Sequence, residues 1–423
     1  MDRARHMLRS GDWLTRERIR IVATALLIAS AAAILFLVVT ANGVIDRQGR
    51  PLGTDFSNVY AAGTYVLAGN PEAPFDPPQQ FAREQALFGQ STQFDGWHYP
   101  PFFLFVAAAL ALMPCGLALA VWQAVTLGLY LLTIGAILKA FSPENGGAIR
   151  RDPLWLLVAL AFPAVLINIG HSQNGFLTAA LLGGALVVLD RCPIVAGLLL
   201  GLLVYKPRYG LLIPLVLAVS GRWKCFASAA ITVALLTLAT TLTFGDGVWH
   251  AFLASTEFTR TVVLEQGNTG WYKIQSVFSW ARMWGAPIPL AYALQGAVIL
   301  GIGGALAWLW RSAAPYPLKA AALCLATILA TPYSFDYDLM VLAPAIIIAV
   351  DGFTRNFGPW EKTLLAALWL MPLVARSVAQ IGLISLGVPA MLAIFILILQ
   401  RSGFGFSVAF SDASTTLNTC RAR

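Results

Sequence analysis

The sequence predicts an all-α polytopic membrane protein, a bundle of about twelve transmembrane helices with a long first outer loop. Three observations lead there. Hydrophobic residues make up 58% of the chain and charged residues only 11%, and a soluble chain of this length needs more charge to cover its surface. The apolar residues fall in continuous runs, and crossing a bilayer takes roughly 20 of them. The basic residues gather between runs, on alternate loops, as cytoplasmic loops require.

The N-terminal segment carries Arg3, Arg5, Arg9, Arg16, Arg18 and Arg20, which places it in the cytoplasm. The run 21–44 is long and lacks a small-residue cleavage pattern, so it reads as a retained helix rather than a leader. It delivers residues 45–100 to the outer side. Within them 56–67 has helical periodicity and is expected to lie along the surface. Residues 101–114 are apolar but short and bounded by Pro101 and Pro114. They either cross or dip in and return. The cytoplasmic signature of Lys139, Arg150 and Arg151 after the run 117–138 favours dipping.

Next, 154–169 goes outward to Gly170-His171-Ser172-Gln173-Asn174, and 175–189 returns. Residues 193–204 and 209–219 form a hairpin with Lys206-Pro207-Arg208 near its outer tip. The run 226–244 leads to a second outer loop, 245–286, and 287–310 comes back to Arg311. From Lys319 the chain runs out to a turn, Thr331-Pro332-Tyr333-Ser334-Phe335-Asp336-Tyr337-Asp338, and returns through 339–350. Two last helices, 361–376 and 378–399, put both termini in the cytoplasm, with Arg376 at an outer turn as the one violation of the charge rule. Residues 1–400 thus form one domain, and 401–423 a polar cytoplasmic tail.

The net charge of +8 reflects cytoplasmic arginines and anionic lipid, and its scatter among apolar runs argues against nucleic-acid binding. The five cysteines form no C-x-x-C pair, so neither a zinc site nor a disulfide framework is indicated, and no metal is expected.

This topology gathers the unusual polar residues on the outer side: Asp55, His98, His171, Gln173, Asn174, Lys206, Arg208, His250, Lys273, Asp336 and Asp338. Such a set suits sugar transfer from a lipid phosphate. The acceptor hydroxyl must lose a proton as it attacks, which calls for a placed carboxylate or histidine. The departing phosphate calls for cations.

The bland readings stand beside these. Asp55 suits a helix N-cap for 56–67, and Gln173 and Asn174 suit caps as readily as substrate contacts. Lys206 and Arg208 suit snorkelling cations paired with a carboxylate. Tyr99-Pro100-Pro101 suits a rigid helix entry, with His98 beside it able to meet phosphate or a sugar hydroxyl. Asp76, Asp95, Asp336 and Asp338 suit solvated turns.

Five pieces in order resemble glycosyltransferase family 87 of the GT-C superfamily, the polyprenol-phosphate-mannose-dependent mannosyltransferases. They are Asp55-Phe56 with Tyr60-Ala61-Ala62-Gly63 and Gly69-Asn70-Pro71, then Tyr99-Pro100-Pro101, then Gly170-His171-Ser172-Gln173-Asn174, then Ala196-Gly197 through Tyr205-Lys206-Pro207, then Thr331-Pro332-Tyr333-Ser334 through Asp338. The resemblance spans roughly 20–350, and this chain has Asp336-Tyr337 where related sequences often carry a histidine.

The resemblance implies a GT-C-like bundle in a bacterial inner membrane, working on the periplasmic or extracellular face. Asp55 would be the catalytic base. His98, Tyr99, His171, Gln173, Asn174, Lys206, Arg208, Tyr333 and Asp336 would bind substrate. It also implies inversion, no cofactor, a polyprenyl-phosphate-hexose donor (mannose by analogy) and a lipid or glycan acceptor. The rival readings are a transporter or lipid flippase, which needs polar residues through the bilayer depth and inverted half-repeats, and a scaffold subunit of an envelope-synthesis complex.

Overall fold

The computed structural model describes residues 2–94, 96–141, 152–353 and 357–404. Asp95, Arg150, Arg151 and the tail beyond residue 404 lie outside them. Among the described residues the chain is helical, with isolated bridges in place of strands. Five helices are long and apolar enough to cross a membrane: Arg16–Val39, Cys115–Ala140, Trp223–Phe244, Ile288–Arg311 and Glu361–Gly382. A sixth arises if Leu154–Leu160 and Pro163–His171, bent by 43°, count as one span. Against the dozen crossings expected, the other apolar helices have only 10–17 residues.

Each long helix has a local reason for its bounds. Thr15 caps Arg16–Val39 by accepting from the Arg18 amide, and Glu17 sits in the first turn, where the helix dipole favours it. This helix buries only Ala23 and exposes Ile28, Leu35, Phe36 and Val39, a face suited to lipid. The bend before Pro163 follows from proline's missing amide and its clash with the preceding turn. By contrast Tyr316–Leu329 and Leu342–Phe353 are buried almost all round and form the centre of the bundle.

Helix Pro193–Leu202 packs closely on Trp223–Phe244. Gly197 and Gly201 permit it, since a Cβ on either would lie 2.4 Å from the Cys225 carbonyl oxygen or 2.5 Å from Thr232 Cβ.

Three expectations are corrected. Helix Phe56–Leu67 does not lie along the surface: Phe56, Ser57, Asn58, Val59, Ala61, Ala62 and Gly63 are buried, and it packs on Leu104–Ala111. Apolar residues on its inner face, rather than a lipid face, set that position. Residues 245–286, expected as an outer loop, fold into helix Gly247–Phe258, a π-helical stretch Thr259–Glu265, a short turn Trp271–Lys273 and helix Val277–Met283. The last two helices break at Leu383, which is left-handed (φ 54°), not near residue 377. Arg376 therefore lies inside helix Glu361–Gly382, in which Pro372 is accommodated.

Candidate active site

Asp55 precedes helix Phe56–Leu67, yet its side chain makes no capping hydrogen bond. It turns instead to the segment 171–174. Thr54 Oγ1 donates to Asp55 Oδ1 at 3.1 Å, and Gln173 Nε2 donates to Oδ2. With the Thr54 proton so used, His171 Nδ1 donates to Thr54 Oγ1 across 2.8 Å, and it stands 3.6 Å from Asp55 Oδ1. The Asp55 amide also donates to the His171 carbonyl at 3.1 Å.

The amide of Gln173 has one workable orientation. Its Oε1 accepts from the Tyr99 hydroxyl and from the Asn174 amide, both at 3.2 Å, so Nε2 must face the carboxylate. Ser172, left-handed at φ 52°, makes the sharp turn, held by Trp122 Nε1 on its carbonyl and Gln123 Nε2 on its hydroxyl. After it, Gly175 has no room for a side chain: a Cβ would lie 2.2 Å from Asn168 Oδ1 and 2.7 Å from the Tyr337 carbonyl oxygen. Burial works to raise the Asp55 carboxyl. The hydrogen bond and charge of His171, then the bonds from Gln173 and Thr54, outweigh it and hold the group below the usual carboxylate range.

Across from this stands a buried triad. The chain breaks at Lys206-Pro207, where proline ends the helical run. Lys206 Nζ lies 2.6 Å from Asp338 Oδ1 and Arg208 NH2 lies 2.7 Å from Oδ2, which also accepts from the Phe335 amide at 2.9 Å. Asp338 is fully buried and Lys206 is 4% exposed. Burial pushes the lysine down to about 8, against the pull of Asp338 and with the charge of Arg208 adding to the fall. Burial raises the Asp338 carboxyl, but the two cations hold it below the usual range. Arg208 also lies over the Tyr333 ring at 5.0 Å, and Lys206 over that of Tyr337 at 5.4 Å.

The third wall comes from the segment 245–286. His98 Nδ1 and Thr259 Oγ1 are 2.8 Å apart, which ties the π-helical stretch to the first loop. Together these walls enclose a cavity of about 510 Å³. Asp55, His98, Tyr99, His171, Gln173, Lys206, Arg208 and Tyr333 all line it.

Two expected contacts do not reach the cavity. Asn174 is buried behind the wall and its carbonyl accepts from the Tyr205 hydroxyl. It is no side-chain cap either. Asp336 is 2% exposed and lies behind Arg376. The expected solvated turn at Asp336 and Asp338 is thus a pair of buried ion pairs, because cations from two distant segments converge on it. Asp76 does cap its helix, accepting from the Gln79 amide.

Arg376 was missed as a site residue, and Asp338, named in the outer polar set, was not given its role as the carboxylate shared by Lys206 and Arg208. The signal for Arg376 was its breach of the charge rule. For Asp338 it was a second acid two residues beyond Asp336 in an apolar chain.

A second cavity of about 490 Å³ adjoins the first. Its lining is apolar, with Leu203, Leu211, Leu217, Phe226 and Val233 among the residues. Pro207, Arg208, Thr331 and Pro332 line both cavities and form the lip between them.

No curated protein and no solved structure matches the chain. The model of glycosyltransferase family 87 matches residues 97–332. That stretch takes in His98, Tyr99, the turn 171–174 and Lys206 to Arg208. Asp55, Tyr333, Asp336, Asp338 and Arg376 fall outside it and join the site through the fold. A stretch of that length is more than half of the 423 residues, and the chain belongs to glycosyltransferase family 87.

Proposed function

We propose that this membrane glycosyltransferase moves a hexose, mannose by analogy, from a polyprenyl phosphate to a lipid or glycan acceptor, with inversion, at the outer face of the cell membrane. One observation carries the reading. A carboxylate freed from helix capping lines a polar cavity, and that cavity shares its Arg208 lip with an apolar one. A ligand with a sugar phosphate at one end and an isoprenoid chain at the other fits such a pair of spaces.

In the proposed reaction the acceptor hydroxyl attacks the anomeric carbon from the face opposite the phosphate. Its proton passes to Asp55, which the Thr54 and Gln173 donors hold ionised and aimed. The bond from the anomeric carbon to the phosphate oxygen breaks, and its electron pair stays on the phosphate. Lys206 and Arg208, two cations on one carboxylate, leave a net positive charge at the lip to receive it. His98 and Tyr99, which line the same cavity, would meet the sugar hydroxyls.

The test is transfer of radiolabelled hexose from synthetic polyprenyl-phosphate-mannose to membrane extracts, with and without the protein. Incorporation that depends on the protein and is lost in Asp55→Asn is expected. Incorporation from a nucleotide sugar, with none from any polyprenyl-phosphate-hexose, would overturn the reading.

A further inference from the structure

Six cationic side chains line the polar cavity, and five are already matched. Arg50 pairs with Asp46, Arg260 with Glu257 and Glu265, and Arg376 with Asp336. Lys206 and Arg208 share Asp338. Lys273 is the sixth, and among the described residues its ammonium has neither an ion-pair partner nor a hydrogen bond.

Its placement is fixed. It ends the turn Trp271–Lys273, directly before Ile274, which bridges Phe335, and Gln275, whose amide donates to the Ser334 carbonyl at 2.7 Å. That puts Lys273 beside the strand-like segment that carries Tyr333, the ring under Arg208. Lys273 is half-buried at the cavity wall, so its ammonium can meet an anion that enters.

We infer that Lys273 binds the departing phosphate of the lipid donor and is matched only once the sugar has left. This rests on the donor class proposed above. The charges fit. Lys206, Arg208 and Asp338 sum to one positive charge, and Lys273 supplies a second. A glycosyl phosphate diester carries one negative charge. Cleavage at the anomeric carbon forms the new glycosidic bond, sends the acceptor proton to Asp55, and leaves the lipid phosphate as a monoester. A monoester carries close to two charges above its second ionisation near about pH 6. Lys273 therefore meets a charge that exists in the product and develops in the transition state, which is where a binding group accelerates the reaction.

The test compares two probes on the solubilised full chain by calorimetry at about pH 7, below the Lys206 value and above the second phosphate ionisation: farnesyl phosphate, a dianion, and farnesyl methyl phosphate, a monoanion. Wild type is expected to prefer the dianion by about tenfold. Lys273→Gln should lose that preference while binding the monoanion within about twofold of wild type. Lys273→Arg should keep it. A preference retained in Lys273→Gln overturns the role of Lys273 and leaves the donor proposal standing. A wild-type protein that binds neither probe overturns both.

Discussion

Arg376 closes on Asp336 with two prongs, Nε at 2.7 Å and NH2 at 2.6 Å from the same carboxylate oxygen. The pair ties helix Glu361–Gly382 to the turn that also carries Asp338. It also explains a cation on what the charge pattern reads as the outer side: the arginine is there for a carboxylate that is 2% exposed.

Arg376→Met is expected to destabilise the protein by about 1–3 kcal/mol, chiefly through the buried carboxylate it orphans. The estimate is held to the lower part of the range for buried pairs because the arginine itself is half-exposed. The effect has a sign with pH. Burial already raises the Asp336 carboxyl above its ordinary value despite Arg376, so its contribution to stability is present at low pH and lost as pH rises. Removing Arg376 deepens that loss. Thermal unfolding in detergent should show wild type and variant furthest apart near neutrality and converging as pH falls and Asp336 takes up a proton. A gap constant with pH would show that the pair does not act through this charge.

Asp55→Asn keeps the shape of the side chain and removes the basic oxygen, so transfer should fall by about 10²–10⁴-fold with unfolding temperature unchanged. The hydrogen bonds around Asp55 make a finer prediction. They hold its carboxyl below the ordinary range, so wild type should keep its activity down to about pH 5 as far as this group is concerned. Gln173→Leu removes a donor to the charged form and lets burial raise the carboxyl. The acid limb of the variant's pH–rate profile should lie at higher pH than that of wild type. Parallel pH–rate profiles would show that Gln173 does not tune the base.

How far the site could be read from the sequence depended on the kind of signal. Gly170 to Asn174 and Lys206 to Arg208 stood out because polar residues and proline interrupt apolar runs, and interruptions of that kind are local. Gln173 was read as a cap or a substrate contact. Its place between Asp55, Tyr99 and the Asn174 amide requires residues 74 and 118 positions apart, which no local pattern reports. Asp336 and Asp338 look alike in sequence, and only the fold sends one to Arg376 and the other to Lys206 and Arg208. The count of about twelve spans came from scoring every apolar run as a crossing, whereas five helices are long and apolar enough to cross alone. Several are short helices buried by their neighbours, where the same apolar residues meet protein.

Lys206 gives the alkaline counterpart. Its ammonium is pushed down to about 8, so raising pH through that value discharges the lip facing the donor phosphate. Activity should fall on this account above about pH 8. Lys206→Arg, which stays charged in this range, should retain activity there if it still reaches Asp338. The measurement is the alkaline limb of kcat/KM for both proteins. An identical limb in Lys206→Arg assigns the loss to another group.

The apolar cavity can be filled without touching the polar one. Ala230 lines it from helix Trp223–Phe244, on an exposed stretch where a larger side chain meets no packed core. Ala230→Trp should therefore fold normally and occupy space that an isoprenoid chain would take. A chain excluded from the cavity loses about 0.8 kcal/mol for each methylene left in a poorer environment. KM for a long-chain polyprenyl-phosphate-hexose should rise by about tenfold or more. KM for a donor cut to a single isoprene unit, too short to enter past Arg208, should stay within about twofold. The comparison of the two donors separates chain binding from any general damage, since damage would weaken both. Equal changes for the long and short donors, or none for either, would mean that the lipid lies elsewhere and that the shared lip at Arg208 is not the passage from chain to phosphate.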